Sequence, residues 1–191
     1  GVYCKDKKYN LEVKLNLKTD FGQGTLRYDF NKFKWFSYSD NFKMDELLKF
    51  YNIEKIANDN WTKVPNKVGK NDIGRKSKTP TRQESLDDKK NFPDVYVNLR
   101  GRNPIAEYYN SKDTYYIQIG DLYGFYYLGQ DPLNLGVPEF RPPQQKIRLR
   151  LKGGGSGGYR FTTAFVVGGG SVSKSKYDII MNPNFLINAG R

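Results

Sequence analysis

Between Lys146 and Lys152 the chain alternates without interruption, with Ile147, Leu149 and Leu151 on one parity and Lys146, Arg148, Arg150 and Lys152 on the other. Side chains of an extended backbone point to opposite faces in turn, so this run predicts a strand with an apolar face and a row of cations. The fold must therefore supply a sheet whose one side meets a core. Cations in such a row repel one another unless an anion approaches or water screens them. The row reads either as a track for phosphates or as a solvated face that deters edge-to-edge aggregation. After the glycines of 153–158 the chain returns through Tyr159-Arg160-Phe161-Thr162-Thr163-Ala164-Phe165, the expected antiparallel partner. The Gly-rich stretches 153–158 and 168–171 have the composition of flexible linkers, natural or introduced.

Further strands are expected wherever the same period recurs. Leu11, Val13, Leu15 and Leu17 alternate with polar residues, and a turn at Phe21-Gly22-Gln23-Gly24 leads to Leu26, Tyr28 and Phe30. The two runs read as arms of one hairpin. Val95, Val97 and Leu99 mark another strand. The stretch Thr114 to Gly129, TYYIQIGDLYGFYYLG, reads as a hairpin that carries Tyr123 just after a Gly-Asp-Leu turn. From Asp40 the period lengthens: Met44, Leu47, Leu48 and Tyr51 lie at i, i+3, i+4 and i+7. That spacing predicts an amphipathic helix reaching to about Ala57, capped by Asp40 or Asn41. Residues 63–91 read as a basic flexible loop, either solvated or a phosphate-contacting arm, with Lys67 and Arg75 among its cations. Pro132 to Pro143 cannot be regular structure. The expected class is α+β: a mixed or antiparallel sheet of about six strands, one clear amphipathic helix and long basic loops. The length of 191 residues fits a single domain or the N-terminal lobe of a larger one.

Absent residue types restrict the chemistry. The chain has no histidine and one cysteine, Cys4. Imidazole bases, Ser-His-Asp triads, His-ligated zinc, cysteine zinc sites and intrachain disulfides are thereby excluded. No cofactor is expected, and no apolar run approaches the roughly twenty residues of a membrane span. The net charge of +12 favours a polyanionic partner, nucleic acid above all. Asp6, Glu12 and Lys14 resemble the Asp and Glu-x-Lys pattern of magnesium-dependent nucleases, a pattern that a lysine-rich chain also produces by chance.

The order of elements resembles that of the ribosome-inactivating RNA N-glycosidases typified by the ricin A chain. The matching pieces are SYSDNFKMDELLKFY, VPNKVG, VYVNLRG, YIQIGDLYGFY, YRFTTAF, then glycines, YDII and a closing AGR. The resemblance implies that Tyr123 and Tyr177 stack on either side of a flipped adenine, with Asp121 in the turn before the first and Asp178 after the second. Lys146, Arg148, Arg150, Lys152, Arg160, Lys67 and Arg75 would then attract ribosomal RNA. It also implies a secreted or vacuolar protein. The family's catalytic Glu and Arg have no counterpart here and would lie on a second chain or a following segment. Stacking of about 1–3 kcal/mol per base binds without cleaving. Two other classes remain open: a non-catalytic basic β-rich module binding nucleic acid or another polyanion, and a viral or secreted structural protein whose charge serves solubility.

Overall fold

The computed structural model describes residues 2–4, 7–153, 158–168 and 172–182. It is α+β, with strands β1 (Val2–Cys4), β2 (Lys7–Lys14), β3 (Gln23–Asp29), β4 (Lys34–Tyr38), β5 (Val95–Leu99), β6 (Thr114–Ile119), β7 (Gly124–Tyr127), β8 (Gln145–Lys152) and β9 (Arg160–Val167). Four helices join them: α1 (Phe42–Phe50), α2 (Ile53–Asn60), α3 (Arg82–Asn91) and α4 (Pro104–Asn110). The strands form two sheets, ordered β1-β2-β6-β7 and β4-β3-β9-β8-β5. The chain divides into two compact units. The first is 1–22, 98–146 and 165–191; the second is 23–97 and 147–164. Asp6, the glycines of 154–157 and 169–171, and the closing Ala-Gly-Arg lie outside the described residues.

In the first unit β6 is the central strand, parallel to β2 and antiparallel to β7. Tyr116, Ile117, Gln118 and Ile119 are all buried, so both of its faces are covered. The β6–β7 turn places Asp121 and Leu122 at φ 53° and 61°, the left-handed pair that suits the twist of a two-strand ribbon. Gly120 is required by close approach: a Cβ there would sit 2.2 Å from the Leu15 carbonyl oxygen. The expected hairpin joining residues 11–17 to 26–30 does not form. β2 pairs with β1 and β6, whereas β3 pairs with β4 and β9 in the other sheet. The inward parity of the first run is also overturned, since Val13 and Leu15 are 59% and 75% exposed. The opposite parity is occupied by an ion pair, Lys14 Nζ to Glu12 Oε1 at 2.6 Å, packed against Tyr109. Alternation specifies a strand but leaves open which face is covered.

The second unit is built on aromatic side chains. Trp35, Trp61, Phe92 and Phe161 meet edge to face, and Tyr28 joins through Trp35. The expected single helix is two, because Asn52 adopts a left-handed conformation (φ 53°) between α1 and α2. Asn41 caps the first by accepting from the Met44 N–H, and Met44, Leu47 and Leu48 are buried. Helix α2 closes the free edge of β4 with side chains in place of a strand. Asn58 accepts from the Trp35 N–H at 2.8 Å and donates to the Trp35 carbonyl at 2.9 Å, while Glu54 accepts from the Ser37 N–H. These bonds satisfy backbone groups that an open edge would leave to another chain.

Residues 63–91, expected as loop throughout, contain α3. Its sequence RQESLDDKKN has no apolar stripe, so periodicity could not disclose it. The start is fixed by a capping box: Thr81 accepts from the Glu84 N–H, and Glu84 accepts from the Thr81 N–H. The rest of the segment is tied down by bridges from Val68 to Lys78 and from Ile73 to Asp29.

Candidate polyanion-binding site

Within the second unit a cleft of about 170 Å³ opens beside β3 and β9, lined by Arg27, Lys67, Lys70 and Arg160, with Asp72 as the one carboxylate. Thr25, Leu26, Gly69, Asn71 and Phe161 complete the lining. Each cation reaches the cleft for an identifiable reason.

Arg27 stands on β3 between Leu26 and Tyr28, whose side chains turn inward, so the strand period sends it to the other face. Its guanidinium lies 3.8 Å from the centroid of the Tyr38 ring, and Tyr38 in turn donates a short hydrogen bond to Asp40. That bond, the largest cause, raises the Tyr38 pKa above its ordinary value and keeps the phenol protonated. Stacked on the ring and hydrogen-bonded to the Tyr38 side chain, the guanidinium loses less freedom on binding an anion. Arg160 opens β9 and is exposed.

Lys67 and Lys70 are placed by carboxylates that are themselves occupied. Asp88, fully buried on α3, accepts from the backbone N–H groups of Asn66 (3.0 Å) and Lys67 (3.1 Å) and from the Tyr159 hydroxyl (2.6 Å). Burial first, and the Asp88 bond second, raise the Tyr159 pKa, so Tyr159 remains a donor at neutral pH. The Lys67 ammonium then lies 5.2 Å from the Tyr159 ring centroid. Asp72 accepts from the Tyr28 N–H at 3.0 Å and the Gly69 N–H at 2.6 Å, which folds the loop carrying Lys70 against β3. Each of its oxygens accepts one backbone N–H, and among the described residues four cations line the cleft against this one carboxylate.

Two residues singled out from the sequence, Lys67 and Arg160, are thus brought together over 93 positions of chain. Lys70 belongs to the same basic segment. Arg27 was missed, and its only signal was a cation on the parity opposite Leu26 and Tyr28. Arg75 is exposed and lies over the Phe30 ring at 4.4 Å, outside the lining. Arg148, Arg150 and Lys152 are half-buried on β8 in this unit and do not line the cleft. Lys146 is half-buried in the first unit.

Tyr123 and Tyr177 both belong to the first unit and lie on adjacent segments. The Ser175 N–H donates to the Tyr123 carbonyl at 2.8 Å, and the Phe125 N–H donates to the Tyr177 carbonyl at 2.7 Å. Gly124 permits this approach, because a Cβ there would sit 2.4 Å from the Tyr177 carbonyl oxygen. The Tyr177 ring packs on the cluster of Tyr116, Phe125 and Val137, and both tyrosines are half-buried. Lys174 and Lys176 lie 6.0 and 5.1 Å from the Tyr123 and Tyr177 rings. Asp121 is exposed in the turn, and Asp178 accepts from the N–H groups of Ile180 and Met181.

Among the described residues no group of three acidic or cysteine side chains is placed to hold a metal ion. No helix there is long and apolar enough to cross a membrane. No protein-family model matches the chain, and neither a curated protein nor a solved structure matches it.

Proposed function

We propose that this chain is a nucleic-acid-binding module that seats phosphate groups in the cleft of Arg27, Lys67, Lys70 and Arg160. The observation that carries this reading is that Arg27, Lys67, Lys70 and Arg160 line one concavity against a single carboxylate among the described residues, Asp72, which accepts from two backbone N–H groups. Cations lining one cleft repel one another in the free protein, and an entering anion relieves that repulsion. The excess charge of the chain adds long-range attraction, while the cleft gives it a destination.

The test is the salt dependence of binding to a single-stranded RNA. Binding through this cleft and the surrounding positive charge gives a slope of log K against log salt clearly below zero, at about −0.7 for each phosphate neutralised on a single strand. A slope near zero, or no binding at low salt, overturns the reading.

A second reading is the N-terminal lobe of a ribosomal-RNA N-glycosidase, with Tyr123 and Tyr177 stacking the target adenine. What favours it is the backbone pairing that sets the two tyrosines on neighbouring segments, each with a lysine beside its ring. Adenine release from intact ribosomes by the protein as isolated from its source, lost in Tyr123→Ala, is the result it requires. Absence of release removes it.

A further inference from the structure

We infer that the cleft is selective for a terminal phosphate, a phosphomonoester at a chain end, over the internal phosphodiesters of the same nucleic acid. This inference rests on the nucleic-acid reading above and narrows it to one chemical group.

Size is the first reason. The cleft has a volume of about 170 Å³. It lies below the range of roughly 300–1,000 Å³ that encloses drug-sized ligands. The cleft seats a phosphoryl group with the attached nucleoside at its open mouth. An internal phosphate carries a sugar on both sides, so its depth of entry is limited by two substituents. A chain end carries one and enters further.

Charge is the second. An internal phosphodiester bears one negative charge, whereas a phosphomonoester bears about −1.5 to −2 at neutral pH with three terminal oxygens. Four cations facing one small volume are matched better by the dianion. Part of the wall is apolar, with Leu26 and Phe161 both buried, which lowers the local dielectric and raises the value of each added charge. Preorganisation is the third. Arg27 is stacked on Tyr38 and the Lys67 ammonium lies over the Tyr159 ring, so two of the four cations are placed before a ligand arrives.

The test compares one RNA oligonucleotide in three forms, with a 5′-phosphate, a 3′-phosphate or hydroxyls at both ends, by fluorescence anisotropy at a fixed moderate salt. Either phosphorylated form is expected to bind roughly tenfold more tightly than the hydroxyl form, a difference of about 1.4 kcal/mol. The double variant Lys70→Ala with Arg160→Ala is expected to abolish that ratio, and inorganic phosphate is expected to compete selectively with the phosphorylated forms. The preference is further expected to shrink as pH falls from about 7.5 to 5.5, through the second ionisation of the phosphomonoester near pH 6. The groups facing the cleft are Arg27, Lys67, Lys70, Arg160 and Asp72, backed by Tyr38 and Asp40 on one side and Tyr159 and Asp88 on the other. None is a histidine, and the chain contains none, so the side chain that ordinarily titrates in that window is absent. Equal affinity for all three forms with a steep salt slope overturns the terminal-phosphate inference and leaves the nucleic-acid reading standing. A flat salt slope overturns both.

Discussion

Replacing Lys70 and Arg160 together by alanine is expected to weaken RNA binding about thirtyfold, from roughly 1 kcal/mol lost per phosphate contact. The slope of log affinity against log salt is expected to fall by about 1.4, because two cations no longer displace counterions. Both side chains are exposed, so stability should change by no more than about 0.5 kcal/mol. The informative control removes the same charge elsewhere. Lys63 and Lys76 are exposed and outside the cleft lining, and their double alanine variant leaves the cleft intact. That variant is expected to bind within about twofold of the parent, a change of roughly 0.4 kcal/mol. If it loses as much as the cleft variant, the diffuse field of the chain carries the binding and the cleft does not.

Trp35→Ala is expected to destabilise the second unit by about 3–5 kcal/mol. Trp35 is 2% exposed and meets the rings of Tyr28, Trp61, Phe92 and Phe161 at centroid distances of 4.6–5.5 Å. Its indole N–H also donates to the Trp61 carbonyl at 3.0 Å, so truncation leaves a cavity and an unpaired buried acceptor together. Both tryptophans of the chain lie in this unit, so the remaining Trp61 reports its unfolding selectively in a denaturant titration followed by fluorescence. The midpoint is expected to fall at an unchanged slope. A loss below about 1 kcal/mol would show that the neighbouring rings collapse into the space. The cleft shares Phe161 with this cluster, so RNA affinity should fall with the folded fraction rather than independently of it.

The local elements were largely legible. Residues 147–151, 95–99, 114–119 and 124–127 form strands where a period of two stands clear, and Asn41 caps a helix where the period lengthens. Helix α3 was not legible, because a solvated helix held by a capping box and one buried aspartate carries no apolar stripe. The break at Asn52 was hidden too, since the apolar spacing continues through a residue whose conformation interrupts the hydrogen-bond ladder.

The residue types and their spacing decide, without any structure, that this chain is basic, free of histidine chemistry, rich in strands and of α+β class. Local backbone preference and the parity of side chains act over a few residues, and they are written in the order of the amino acids. The partner of each strand, the face it buries and the convergence of cations were decided in three dimensions. β2 joins β6 rather than β3, Val13 faces outward while Glu12 and Lys14 pair beside Tyr109, and Arg27 lines one cleft with Lys67, Lys70 and Arg160. These outcomes depend on contacts between residues far apart in the chain, chosen by which packing covers the most apolar surface and leaves the fewest polar groups unpaired. A period of two is the same whichever face is buried, so only the completed packing selects between them.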